Sequence, residues 1–171
     1  MESTQITELL KSIIHTLLDD HIIDSQKATE VMERLENRTY ILVLKPSSSY
    51  RDMCAIMPAY IVEGKMELRY VLRLVDEDNA VFPSKNIIHE LCHFIAITNR
   101  QYANGLICKW GLCCNLYQIQ QGKVKTLSLN ARYSENEKAN CIATDYVIKR
   151  LQGQYDGQNI SFLRNYFAGR L

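Results

Sequence analysis

The stretch Asn86-Ile87-Ile88-His89-Glu90-Leu91-Cys92-His93-Phe94-Ile95-Ala96 holds the densest chemistry in the chain. Two histidines four residues apart on a helix project from one face, one turn above the other. Their imidazole nitrogens can then meet a single zinc ion at about 2.0–2.1 Å. Glu90 follows the first histidine directly, so it lies about 100° around the helix. It cannot share the ligand position with His89, but it can reach a water on the ion. That is the chemistry of metal-assisted hydrolysis, with Glu90 as general base.

The surroundings of the motif argue for the same chemistry. Ile87, Ile88, Leu91, Phe94, Ile95 and Ile97 make the helix apolar nearly all round, which predicts a buried helix. Two imidazoles and a carboxylate in such a place are costly unless they are paired or bind a metal. At this chain's own His and Glu frequencies, HExxH arises by chance in roughly one chain of this length in two hundred.

A catalytic zinc needs a third protein ligand and one open position. No histidine follows His93, and His15 and His21 stand far upstream, on or just after a surface helix. The third ligand is therefore expected to be a carboxylate, with a cysteine as the weaker option. Candidates open the segment Ser134-Glu135-Asn136-Glu137-Lys138-Ala139-Asn140-Cys141-Ile142-Ala143. Ser134 and Glu137 fit a capping box at the start of a helix. On its expected apolar face, Ala139, Ile142, Ala143, Tyr146 and Val147, Glu135 stands one turn before Ala139. Glu135 is thus the preferred zinc ligand, and Glu137 the alternative. Tyr102 or Tyr133 could supply a donor to the reacting carbonyl from flanking segments.

His-Glu-Leu-Cys-His followed by Glu-Lys-Ala-Asn-Cys-Ile-Ala resembles the ImmA/IrrE-type metallopeptidases, gluzincin-like enzymes with HExxH on one helix. They carry a Glu shortly before an Ala-Asn-x-Phe-Ala-like segment on the next major helix. Asn140 and Ala143 fit that segment, and Ile142 replaces the aromatic. The family's acidic position falls on Asn136 here, with Glu135 and Glu137 on either side. The resemblance covers about residues 87–148 and implies a zincin-like fold, one Zn2+ ion and a protein or peptide substrate.

The elements that must position these groups follow from periodicity. Residues 5–19 read as an amphipathic helix through Leu9, Leu10, Ile13, Ile14, Leu17 and Leu18. A second helix is expected over Ser25 to Leu35, capped by Asp24 or Ser25. Tyr40 to Leu44 reads as a strand. Met53 to Val62 and Met66 to Val75 read as a hairpin turning at Glu63-Gly64-Lys65. Ser84 can cap the motif helix, which is expected to run to about Thr98. A second hairpin region spans about Leu112 to Leu129. Helices from Ser134 to Leu151 and over Ile160 to Phe167 complete the order. This is α+β: a small antiparallel or mixed sheet packed on the motif helix, with further helices at both ends. One domain over residues 1–171 is expected, with an N-terminal helical part (1–36), a core (37–151) and a C-terminal helix (152–171). The strand around Leu68 to Val75 is a candidate to bind an extended substrate by strand addition.

Composition narrows the function classes. The 171 residues are 47% hydrophobic and 23% charged, with net charge +1. That balance gives no strong pull toward nucleic acid or an anionic membrane. No apolar run approaches the roughly 20 residues needed to cross a bilayer. The first residues lack a signal-peptide pattern, so the cytoplasm is the default compartment. Delivery into another cell by a dedicated secretion system would leave no readable mark. Without a secretory signal the six cysteines are expected to be reduced; a second metal site at Cys108, Cys113 and Cys114 would lack a paired CxxC. The function expected is a zinc-dependent endopeptidase using a zinc-activated water. Its alternatives are a non-catalytic regulatory or binding protein on a degenerate zincin scaffold, and a SprT-like DNA-associated protease. The missing later histidine and the near-neutral charge argue against the last.

Overall fold

The computed structural model describes residues 2–44, 55–62, 66–75, 84–96, 114–115, 133–155 and 157–169. The chain opens with helix α1 (Ser3–Asp19). Its Ile6, Leu10, Ile13, Ile14 and Leu17 are buried at the expected spacing. A reciprocal capping box starts it, with the Glu2 backbone N–H donating to Gln5 Oε1 at 2.9 Å. Helix α2 (Ser25–Arg38) is capped by Asp24, whose carboxylate accepts from the Lys27 backbone N–H at 2.8 Å.

Three strands follow: β1 (Thr39–Leu44), β2 (Ala55–Val62) and β3 (Met66–Val75). β2 and β3 pair antiparallel from Val62↔Met66 to Ala55↔Arg73, the expected hairpin. β1 lies parallel to β3, with Thr39↔Tyr70 through Leu44↔Val75. A two-residue strand β4 (Cys114–Asn115) lies parallel to β2 at Ala59 and Tyr60. The sheet is mixed, in the order β1-β3-β2-β4, so the architecture is α+β. The rest of the expected second hairpin lies outside the described residues.

This order corrects one expectation. β3 is a central strand, paired with β1 and β2 at once over Tyr70–Arg73. Its backbone donors and acceptors there are already used, so a substrate strand cannot add to them.

The motif helix is α3 (Lys85–Ala96). Ser84 caps it as expected, its hydroxyl accepting from the Ile87 N–H at 3.3 Å. Helix α4 (Tyr133–Leu151) begins one residue before Ser134, so Ser134 stands inside its first turn rather than ahead of it. Helix α5 (Ile160–Phe167) keeps its expected bounds. One buried cluster takes residues from α1, α2, β3, α3, α4 and α5, including Leu72 and Leu74 of the central strand. The N-terminal helices therefore share their core with the motif helix.

Two polar devices hold this packing together, and sequence periodicity announced neither. The first lies at the C-terminal end of α3. Arg34, fully buried on α2, donates through Nη1 to the Phe94 carbonyl and sits 5.2 Å over the Phe94 ring. Lys27 Nζ donates to the Ala96 carbonyl at 3.3 Å. Two cations thus meet the carbonyl end of the motif helix, where its dipole favours positive charge. Burial pushes the Lys27 ammonium down to about 8.

The second device joins α1 to α4. Asp20, just past α1, accepts from Tyr146 Oη at 2.6 Å, Arg150 Nε at 2.7 Å and Arg150 Nη2 at 3.1 Å. Burial alone would raise its carboxyl, but the bonds from Arg150 and Tyr146 outweigh that and hold it below its usual value. Such a group adds stability above the unfolded carboxyl's value of about 3.9. That stability disappears as pH falls through the lower folded value. Asp20→Ala is expected to cost about 1–2 kcal/mol at neutral pH, or about 3–6 °C in Tm. Thermal melts of both proteins should show the gap narrowing as pH is lowered below about 4.

Candidate metal centre

Helix geometry brings the two motif histidines together. The His89 and His93 rings have centroids 4.9 Å apart and stand nearly perpendicular, at 85°. Both therefore lie on one side of α3, as a spacing of four requires. His93 is buried, and so is Glu90, at 6% exposure, whereas His89 is half-buried. A carboxylate this deep, one residue from one ring and three from the other, stands where solvent is scarce. The ring separation suits one small ion held between two imidazole nitrogens, and such nitrogen ligands suit zinc.

α3 packs closely on α4, and three polar side chains organise the contact. Asn140 Nδ2 donates to the His89 carbonyl at 2.8 Å. Thr144 Oγ1 lies 3.4 Å from His89 Nδ1, and donates at 2.7 Å to the Asn140 carbonyl one turn back on its own helix. Tyr166 Oη, from α5, donates to Asn140 Oδ1. Asn140 and Thr144 are wholly buried and Tyr166 nearly so. Sequence reading placed Asn140 in the family-like segment but assigned Thr144 and Tyr166 no part. Their one signal was polarity: Thr144 interrupts the apolar face of α4 four residues after Asn140.

The buried face of α4 also differs from expectation. Ala139, Asn140, Ala143, Thr144, Tyr146 and Val147 are buried, while Ile142 is 37% exposed. The inward face is therefore rotated toward Asn140 and Thr144.

Among the described residues, no group of three His, Cys, Asp or Glu side chains is arranged to hold a metal ion. The backbone at Glu135 and Glu137 is in the first turns of α4. Their side chains, with that of Tyr133, lie outside the described residues, as do Tyr102, Cys54, Cys108 and Cys113. His15 and His21 are exposed, and His15 Nε2 sits 3.3 Å from Asp19 Oδ2, so α1 and its end keep both on the surface. Cys92 is a fully buried free thiol. Burial pushes it up to about 12 against an opposing hydrogen bond with Thr144, so it packs as a small apolar group.

Set against known protein families, curated proteins and solved structures, the chain matches none. Among the described residues no helix is long and apolar enough to cross a membrane.

Proposed function

We propose that this chain is a zinc-dependent endopeptidase on a zincin-like scaffold, hydrolysing a peptide bond in a protein substrate. The observation that carries the reading is the pairing of the His89 and His93 rings on one face of a helix that also buries Glu90. His89 and His93 would hold the ion, which when bound would supply a water with its pKa lowered toward about 7 and polarise a carbonyl. Glu90 is the general base: it takes the proton from the attacking water and hands it to the departing amine. The burial of Glu90 and His93 limits the access of bulk water to that proton.

The α3–α4 contact bears on the third ligand. Asn140 and Thr144 meet His89, so the side of α4 that faces His89 runs through these two positions. Glu137, three residues before Asn140, lies about 60° from it around the helix, and Glu135 about 140° away. Side chains lean toward a helix N-terminus and carbonyls point toward its C-terminus. Thr144 meets the His89 ring and Asn140 meets the His89 carbonyl. Going back along α4 therefore follows α3 from His89 toward His93. The turn before Asn140 comes next in that direction. On this geometry Glu137 is proposed as the third ligand, with Glu135, preferred from the sequence, as the alternative.

Metal analysis of protein purified with zinc should find about one ion per chain, and His93→Ala should lose it. A wild-type protein that takes up no zinc would end this reading. A second reading, a non-catalytic binding protein on a degenerate scaffold, draws support from Asn136 at the family's acidic position.

A further inference from the structure

The His89 ring meets a hydroxyl of α4 whose own hydrogen is already committed. Thr144 Oγ1 carries one hydrogen and two acceptor lone pairs. It gives that hydrogen to the Asn140 carbonyl at 2.7 Å, a short and fully buried bond. Toward His89 Nδ1, 3.4 Å away, the hydroxyl can then only accept. An acceptor facing Nδ1 selects the ring form that carries its proton there. In a neutral imidazole this leaves the lone pair on Nε2.

We infer that Thr144 is a positioning residue that holds His89 as the Nδ1–H tautomer, making Nε2 the nitrogen offered to a metal. The inference rests on the metallopeptidase reading for its purpose, but not for its geometry. Asn140 and Tyr166 complete the device. Tyr166 Oη fixes the Asn140 side chain, which fixes the His89 carbonyl, so ring and backbone of one residue are held from two helices. The neighbouring Cys92 stays a neutral thiol with its own hydrogen, so it does not need the hydrogen that Thr144 gives to the Asn140 carbonyl. Metal-bound histidines are usually oriented by such an acceptor on the far nitrogen, most often a carboxylate or carbonyl. A hydroxyl made acceptor-only by its own helix does the same work without burying another charge.

The test is nitrogen-15 NMR of the histidine rings in metal-free full-length protein at about pH 8, above the usual imidazole range. The His89 signals are identified by their loss in His89→Gln. Wild type should show the Nδ1–H pattern, against the preference of free imidazole side chains for Nε2–H. Thr144→Val should shift His89 toward Nε2–H, whereas Thr144→Ser and Cys92→Ala should keep the wild-type pattern. Zinc titration should then show affinity weakened about 10–100-fold in Thr144→Val and little changed in Thr144→Ser. A wild-type His89 in the Nε2–H form overturns the inference, as does an unchanged pattern in Thr144→Val. Should Thr144→Val not fold, the wild-type spectrum and Thr144→Ser decide alone. If the tautomers behave as stated but no variant binds zinc, the ring assignment stands and the metallopeptidase reading falls.

Discussion

Glu90→Gln is expected to reduce peptide hydrolysis by at least about 10²–10⁴-fold, the usual worth of a positioned general base. In barrier height this is about 3–5 kcal/mol. Bound zinc should stay at the wild-type level. The change keeps the volume of a side chain that is 6% exposed and removes one charge, so the packing of α3 has no reason to change. An amide can still donate and accept hydrogen bonds, but it cannot take a proton from water near neutral pH. Loss of turnover with retained metal would therefore isolate the proton transfer from metal binding. The readout is cleavage of a fluorogenic peptide library together with metal content of the same sample. Activity within tenfold of wild type would remove Glu90 from the mechanism. A binding protein built on the same scaffold would instead keep its function in this variant.

The second large effect concerns the acid proposed to complete the site. Glu137→Ala should weaken zinc binding by more than about 100-fold, beyond the range of an outer-shell partner. Glu135→Ala should change it by no more than a few-fold. The contrast follows from the rotation of α4. Asn140 and Thr144 touch His89, and Ile142, once expected inward, is 37% exposed. Relative to Asn140, residue 137 sits on the same face and residue 135 on the far side. Zinc titration against a chromophoric chelator would measure both variants. If Glu135→Ala is the damaging change, α4 must be wound differently at its start from the helix that runs through Asn140. If neither matters, the third ligand comes from another part of the chain.

The local features of this protein were legible because local rules govern them. A spacing of four places His89 and His93 on one side of any α-helix, whatever surrounds it. The apolar stripe of α1, the Asp24 and Ser84 caps, the β2–β3 hairpin and the bounds of α5 each depend on neighbours within a few residues. The face of α4 was legible in Ala139, Ala143, Tyr146 and Val147, but the side that meets α3 is also polar, through Asn140 and Thr144, and leaves Ile142 exposed.

What only the tertiary structure decided are relations between distant segments. The parallel placement of β1 beside β3 makes β3 central and leaves no free side over Tyr70–Arg73 for an added strand, and no periodicity within either strand encodes that. Asn140 reaches the His89 carbonyl across 51 residues, and Lys27 reaches the Ala96 carbonyl across 69. A polar side chain in an apolar stretch shows that a partner is needed, because burial without one is costly. Which partner it finds depends on how the helices cross, and that is a property of the assembled core.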